Sequence, residues 1–334
     1  MIIKRLLHIS YTLIVFLIIT ILSIGCKPQQ KAVPAHVIFT QGDVTILRND
    51  VNIPVVLGQV VETNDIIATG SQSIAVVQIA DKAVVHIGSN SKVAVNSLID
   101  TSTTLYLEKG EIISKVERLQ KGQEYVIKTR SVVASVRGTQ FLVKADEKIG
   151  KIAVNTGSVS VKPIAETKEA QVTEVKETMV EAGKEAIVTV EEETAAKEVP
   201  VAIQEISVKD KIKIETAAKV EVLPQEVLVK PEALEKVQDT IKQNVEKVQK
   251  IETLTDDELK QQIKKERIER LMQQKTRTLE EIKEACERID VVRLYSGKQI
   301  QGAIISRGDS YKILTTTGII DVPKKDVRSV SVMR

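Results

Sequence analysis

Histidine and cysteine, which carry much of the metal and proton-transfer chemistry of proteins, are scarce in this chain of 334 residues. The three histidines are His8, His36 and His86, and their wide separation does not match the short ligand spacings of zinc sites. No motif pairs a histidine with a serine or cysteine nucleophile, and no glycine-rich phosphate loop is present. We therefore expect a protein that is not an enzyme and that holds no metal or cofactor.

The sequence around His86 favours a structural role for this side chain. His86 lies in the apolar run Val84 to Ile87, which is typical of a β-strand. Because alternate side chains of a half-buried strand point to solvent, we expect His86 at an outward polar position rather than as a ligand. The many glutamates lie mostly in charged stretches, where solvated charges are a better interpretation than a catalytic pair.

Arg137, Gly138 and Thr139 form the sharpest candidate for a binding motif, and the motif has two interpretations. In the functional one, a guanidinium fork and a hydroxyl are exposed at a strand bend and bind a carboxylate or a glycan. In the structural one, Gly138 permits a tight turn or bulge, and Arg137 satisfies buried backbone carbonyls. We favour the structural interpretation because Val136 and Phe141 place the motif within apolar strand sequence.

The first 26 residues have the layout of a secretory signal: a short basic start, an apolar run and a small residue before the cut. The ending Gly25-Cys26 resembles a lipobox, which implies cleavage after Gly25 and acylation of Cys26, for example with palmitate. Ser23 departs from the usual aliphatic residue at its position. The alternative is an uncleaved membrane helix, since 6–24 is long enough to span a bilayer. Both alternatives tether the chain to a membrane from outside the cytoplasm.

Once Cys26 is acylated, Cys286 has no partner within the chain, so we expect it to be buried or to pair between molecules. Aromatic residues make up only 2% of the chain and Trp is absent, so the core must be aliphatic and platforms for stacking sugars or bases are few. Basic and acidic residues are interleaved and nearly balanced, with a net charge of +3. This balance argues against a nucleic-acid partner.

Between residues 35 and 161 the chain is a series of short apolar runs separated by glycine, asparagine and aspartate. No helical pattern intervenes, which predicts an all-β sandwich, barrel or solenoid. Within this region, six segments follow one another in a fixed order: Gln41–Val44, Leu57–Gly58, Asp65–Ser73, Leu107–Ile112, Val133–Phe141 and Val154–Val159.

These segments resemble the FecR domain, an extracytoplasmic β domain first described in an iron-transport regulator. The most specific piece is Val136-Arg137-Gly138-Thr139-Gln140-Phe141. The resemblance covers residues 37–163 and extends to a last strand near 181–188. It implies an envelope-side domain that interacts with a protein or a glycan and has no known chemistry.

In the regulator for which the family is named, a cytoplasmic anti-sigma segment is joined through a membrane helix to the β domain. Here very little sequence precedes the apolar segment, so we expect that sigma regulation does not carry over. The runner-up function is nevertheless a signalling one, in which the FecR-like domain senses an envelope ligand and acts with a membrane partner.

The rest of the chain changes character three times. Residues 191–230 are rich in Glu, Lys, Val and Ala and predict a solvated, charged linker, in which 211–214 and 219–222 are strand-like. Residues 231–288 predict a helical spacer that begins at Pro231, includes a capping box from Thr255 to Glu258, and carries an apolar stripe too narrow to require a partner. A solvated hairpin is favoured over a coiled coil there.

The last segment, 289–334, turns to β again and is similar to small Sm-like or SH3-like modules. The predicted fold is thus mainly β with an α-helical spacer. It comprises a signal with lipobox (1–26), a spacer (27–36), a FecR-like all-β domain (37–190), a charged linker, helices and a small, barrel-like C-terminal β module. The predicted function is that of a lipid-anchored binding or scaffolding protein of the cell envelope, in the periplasm or at the outer membrane. Its partners are the membrane and an unknown envelope protein or glycan.

Overall fold

A computed structural model describes residues 31–164, 177–189, 200–274 and 276–333. The chain divides into two compact units, of which the first comprises Met1–Ile206 and Ile214–Val245, and the second Ser207–Lys213 and Glu246–Arg334. The predicted signal segment with Gly25 and Cys26, and residues 191–199 of the predicted linker, lie outside the described residues. The described chain is mainly β with helices between its β segments, as the sequence predicts.

In the first unit, the described residues from Ala35 to Glu205 form a succession of strands. They are β1 (Ala35–Gln41), β2 (Val44–Arg48), β3 (Val51–Pro54), β4 (Val60–Val61), β5 (Ile66–Thr69), β6 (Ile74–Ile79), β7 (Ala83–Ile87), β8 (Lys92–Ile99), β9 (Ser102–Val116), β10 (Glu124–Lys128), β11 (Val132–Val136), β12 (Gln140–Ala145), β13 (Ile149–Thr156), β14 (Ser158–Pro163), β15 (Thr178–Glu181), β16 (Lys184–Thr189) and β17 (Val201–Glu205).

The strands form two sheets that share β9. Sheet I has the order β3-β2-β5-β8-β9-β10-β11-β14-β15, and sheet II has the order β4-β1-β6-β7-β9-β12-β13-β16-β17. Neighbours are antiparallel, except that β10 runs parallel to β9.

Strand β9 changes sheets at Gly110. The residues before it pair with β8 and β10 in sheet I, whereas those after it pair with β7 and β12 in sheet II. Gly110 has φ +96°, and a Cβ at this position would lie 2.2 Å from the Oγ of Ser91. Only glycine combines this conformation with so close an approach, so the bend in β9 depends on it.

The inner faces of the two sheets bury an aliphatic core that includes Ile46 of sheet I and Val77 of sheet II. Burial alternates along β8, where Val93 and Val95 are buried and Ala94 is partly exposed, as predicted for a strand with one buried face. The predicted spacer 27–36 is wrong at its end, because Ala35 and His36 begin β1 and are both buried.

The helices of the first unit confirm the helical character predicted for residues 231–288. Their apolar side chains are buried, however, and helices also occur within the predicted linker 191–230, so the predicted solvation of both segments is wrong. These helices are α1 (Val208–Ala217), which begins in the second unit, α2 (Gln225–Leu228), α3 (Pro231–Glu235) and α4 (Gln238–Thr253), which continues into the second unit. We call Ile214–Val245 the strap. Its apolar side chains, among them Leu234, Ile241 and Val245, are buried against Phe39 and other outer-face residues of β1, β6 and β7.

Three predictions for residues 211–245 therefore differ from the structure. Residues 219–222, predicted to be strand-like, lie in the connection between α1 and α2 and not in a strand. Residues 211–214, predicted to be strand-like, lie in helix α1, because their alternating apolar pattern is too short to distinguish the two periods. The apolar stripe that starts at Leu234 is covered by sheet II instead of being solvated. Pro231 does occupy the first turn of α3, as predicted.

The second unit contains α5 (Asp256–Gln273), α6 (Leu279–Cys286) and five strands: β18 (Asp290–Leu294), β19 (Gln299–Arg307), β20 (Ser310–Thr315), β21 (Gly318–Pro323) and β22 (Val327–Val332). The predicted capping box of Thr255 and Glu258 is present at the start of α5. An equivalent box of Thr278 and Glu281, which the sequence prediction missed, starts α6.

The five strands of the second unit form one antiparallel sheet in the order β21-β20-β19-β18-β22, and a short 3₁₀ turn at Lys324–Asp326 precedes the last strand. Cys286 is buried in a core formed by α5, α6 and the sheet, which is the first of the two states expected for it. Among the described residues, none of the helices is long and apolar enough to cross a bilayer.

Candidate functional site

Arg137, Gly138 and Thr139 lie in the connection between β11 and β12 and line an open pocket of about 360 Å³. Three chain segments meet there: 115–118 at the end of β9, 137–140, and 156–158 between β13 and β14. We call this the Arg pocket. A volume of this size lies at the lower end of the range for small-ligand sites.

Backbone hydrogen bonds hold the first two segments together. The amide of Val116 donates to the carbonyl of Thr139 at 2.9 Å, and the amide of Thr139 donates to the carbonyl of Val116 at 3.1 Å. The amide of Leu119 donates to the carbonyl of Arg137 at 2.9 Å. This arrangement continues the β9–β12 pairing past the strand ends and brings Arg118 beside Gly138.

Two glycines keep the pocket open. Gly138 has φ +149°, and a Cβ there would lie 3.2 Å from the Cα of Arg118. Gly157 has φ +81°, and a Cβ there would lie 2.6 Å from the carbonyl oxygen of Gly138. Because side chains are strained at such φ values, both positions favour glycine. The structure thus gives Gly138 the backbone role that the structural interpretation expects.

Arg137 does not have the structural role expected of it. Its side chain is exposed, and its guanidinium makes no hydrogen bond or ion pair with any described residue. The neighbouring carbonyls that the guanidinium was expected to satisfy already have backbone partners. The carbonyl of Arg137 accepts from the amide of Leu119, and the carbonyl of Thr139 accepts from the amide of Val116. The guanidinium is therefore left at the pocket for another acceptor.

Arg118 is a second exposed guanidinium at the pocket that has no partner among the described residues. The third basic group, Lys115, is already engaged, since its Nζ lies 3.1 Å from Glu221 of the strap and 4.0 Å from Glu117. The sequence analysis missed Arg118 and Lys115. The signal that identifies them is the pairing of β9 with β12, which does not follow from the local sequence.

Polar groups complete the lining of the pocket. Thr139 is only 3% exposed, and its hydroxyl has no hydrogen-bond partner among the described residues. The amide oxygen of Gln140 accepts from Asn155 at 3.1 Å, and Thr156 and Ser158 are exposed at the rim. The lining contains no His or Cys, and its guanidinium groups can bind an anion.

His36 and His86 lie elsewhere in the first unit, and the prediction that His86 points to solvent is wrong. His86 is buried on the outer face of β7, beneath the strap, close to the backbone of Ala217. Neither of its nitrogens forms a hydrogen bond of normal geometry with a described residue. Burial lowers the pKa of His86 to about 4, and the Ala217 backbone opposes this effect. Burial also lowers the pKa of His36.

Across residues 31–164, 177–189, 200–274 and 276–333, no group of three His, Cys, Asp or Glu side chains is placed to hold a metal ion. The pocket is therefore the candidate site that the described residues offer. Its polar groups can hold a ligand in place, and its unpaired guanidinium groups would supply the attraction for an anion.

Comparison with known proteins places the pocket in a recognised family. The family model described as "FecR protein" matches residues 65–160, a range that contains all three segments of the pocket. No curated protein matches the chain.

Part of the chain matches two crystal structures from Parabacteroides distasonis ATCC 8503, both described as a "putative anti-sigma factor". They are 20% and 19% identical to this chain, each with a TM-score of 0.35. Each match covers 45% of this chain and spans 63% or 62% of the matched structure, less than two thirds of its length. On the family match, this chain contains a FecR domain, and the Arg pocket lies within it.

Proposed function

We propose that the protein is a signal-sensing component of the cell envelope whose FecR domain binds an anionic ligand in the Arg pocket. The family match supports sensing over passive scaffolding. The single observation that carries the proposal is that Arg118 and Arg137 line an open pocket and that their guanidinium groups have no partner among the described residues. The protein acts by binding and not by catalysis.

A contact between the pocket and the strap offers a way for binding to be sensed. Lys115 lines the pocket, and its Nζ contacts Glu221 of the strap at 3.1 Å. An anion that enters the pocket competes with Glu221 for this ammonium group. A single exposed ion pair contributes at most about 1 kcal/mol, so the competition changes the strap's attachment without detaching it from the buried face of sheet II.

The proposal places the FecR domain outside the cytoplasm, anchored through an acylated Cys26 after cleavage behind Gly25, and working with a membrane partner. Two acyl chains give stable attachment where one gives only marginal binding. Mass spectrometry of the protein purified from its membranes tests the anchor: the mature chain should begin at Cys26 and carry lipid. A C26S variant should accumulate as an unprocessed precursor. An intact, lipid-free segment 1–25 in the wild type contradicts the anchor.

Transcript profiling of intact cells tests sensing against scaffolding. Four strains are compared: the wild type, a gene deletion, and two variants expressed at the wild-type level. The variants are the double variant R118Q/R137Q and R130Q, which replaces an exposed arginine of the same unit that does not line the pocket. Sensing predicts that the double variant reproduces the transcript changes of the deletion, while R130Q matches the wild type. A double variant with the wild-type profile, or a deletion that changes no transcripts, contradicts the proposal.

A further inference from the structure

We infer that the ligand of the Arg pocket is a peptide carboxylate, held by the guanidinium groups of Arg118 and Arg137. This inference rests on the proposed function, because it specifies which anion the same pocket binds. It follows from the kind of cation present, from the one acidic group in the lining, and from the absence of aromatic side chains there.

The cations are of the type that binds a planar anion. A guanidinium presents parallel N–H donors in a rigid fork that matches the two oxygens of a carboxylate, which an ammonium group does not. The two segments that carry these groups adjoin, since the Cα of Arg118 lies 3.2 Å from the Cβ position of Gly138, the residue after Arg137. The pocket's ammonium group, that of Lys115, already contacts Glu221, so a ligand must compete with Glu221 for it, whereas both guanidinium groups are unpaired among the described residues.

The acidic group in the lining limits the charge of the ligand. Glu117 is exposed at the pocket, with its carboxylate 4.0 Å from the Nζ of Lys115. A ligand that carries several negative charges would place one of them near Glu117 and be repelled. A single carboxylate avoids this repulsion, which favours a peptide end or one acidic side chain over a phosphate or a polyanionic glycan.

The remaining lining suits a peptide better than a sugar. No aromatic ring lines the pocket, so the stacking surface that sugar faces use is missing. Its polar groups are hydroxyls and an amide: those of Thr139, Gln140, Thr156 and Ser158. These groups can donate to and accept from peptide units. The unpaired hydroxyl of Thr139 also gains from any acceptor that reaches it, because an unsatisfied buried hydroxyl costs free energy.

Calorimetric titration of the full chain in detergent tests the ligand class. The main probe is an acetylated alanine peptide with a free C-terminal carboxylate, and its matched control is the same peptide with a C-terminal amide. A galacturonate oligosaccharide and inorganic phosphate are titrated separately. The inference predicts that the free-acid peptide binds, and that the amide binds at least about tenfold more weakly, since a charge-assisted pair is lost.

Variants connect this binding to the pocket. R118Q and R137Q should each weaken binding of the free-acid peptide about tenfold, whereas R130Q should change it less than about twofold, as expected for a distant exposed charge. The side chains of Arg118 and Arg137 are exposed and have no partner among the described residues, so the melting temperatures of R118Q and R137Q should match that of the wild type. Equal binding of acid and amide, or binding that survives R118Q/R137Q, overturns the inference.

The other two probes separate this inference from the proposed function. If galacturonate or phosphate binds more tightly than the peptide, and R118Q/R137Q abolishes this binding, the peptide assignment is overturned while an anion-sensing pocket stands. If none of the three probes binds, the peptide inference is overturned, and transcript profiling still decides the proposed function on its own.

Discussion

The side-chain amide of Gln78 forms two hydrogen bonds with the backbone of Leu223. Its Oε1 accepts from the amide of Leu223 at 2.8 Å, and its Nε2 donates to the carbonyl of Leu223 at 2.7 Å. Gln78 lies on the outer face of β6 and is fully buried. This pair of bonds ties the strap to sheet II, so a segment with the composition of a linker is part of the β unit.

Replacing Gln78 with Ala should therefore destabilise the first unit. Both part-buried bonds to Leu223 are lost, together with the buried bond from Nε2 of Gln78 to the carbonyl of Ala80. The groups left without partners should cost about 1–3 kcal/mol. Chemical denaturation followed by circular dichroism measures this loss. Q120A, at an exposed glutamine of the same unit, is the control and should be neutral. A Q78A protein as stable as Q120A would show that the strap is not held in this way.

Arg48 and Asp65 provide a second stability prediction, since they form a bidentate ion pair. The Nε of Arg48 donates to the Oδ1 of Asp65 at 2.7 Å and one Nη donates to the Oδ2 at 2.6 Å. Asp65 is 1% exposed and also accepts from the amide of Glu62. Replacing Arg48 with Met leaves this buried carboxylate without its cation, which should cost about 3–5 kcal/mol.

Glu62 supplies the matched control for this pair. Its carboxylate also contacts Arg48, at 2.7 Å, but its side chain is 58% exposed. E62A should therefore lower the free energy of unfolding by at most about 1 kcal/mol. Urea denaturation of R48M and E62A measures both effects. Equal losses in the two variants would mean that burial of Asp65 does not determine the strength of the pair.

The buried imidazole of His86 predicts a pH dependence of stability. In the folded chain its pKa is lowered to about 4 by burial, while in the unfolded chain it returns to the ordinary value of about 6.5. Below pH 6.5 the unfolded state binds a proton that the folded state does not, so stability falls as the pH drops from about 6.5 to about 4. The full loss is on the order of 3 kcal/mol.

A comparison of the wild type with H86L isolates this contribution, because other groups titrate equally in both proteins. Denaturation midpoints at pH 7.5 and pH 4.5 provide the measurement. H86L should lose less stability than the wild type over this interval, since leucine has no proton to bind. If both proteins lose the same amount, protonation of His86 does not destabilise the fold.

Much of this fold could be predicted because turns, strand faces and helix starts depend on residues that are close together in the sequence. Glycines and asparagines marked the turns, alternation marked the buried face of β8, and Thr255 with Glu258 marked the start of α5. The strap was not predicted, because the contact between Gln78 and Leu223 joins residues 145 positions apart. Because Glu and Lys are abundant around Leu223, the composition predicts a solvated linker and does not indicate the few apolar side chains that are buried.

The candidate site was predicted in part for the same reason. The motif with Gly138 identified one wall of the pocket from sequence, and its positive φ is one that glycine adopts readily. Arg118 was missed because it joins the pocket only through the pairing of β9 with β12. The role of Arg137 was misjudged, since the sequence does not reveal that the neighbouring carbonyls already have backbone partners.

Photo-crosslinking in intact cells tests the central claim, that the Arg pocket holds a ligand, most directly. A photoreactive amino acid replaces Thr156, which is exposed at the pocket rim, in the wild type, in R118Q/R137Q and in R130Q. The account predicts one dominant adduct in the wild-type and R130Q backgrounds and its loss in R118Q/R137Q, with the melting temperature unchanged. An adduct of equal yield in R118Q/R137Q, or no adduct in any background, would contradict the account.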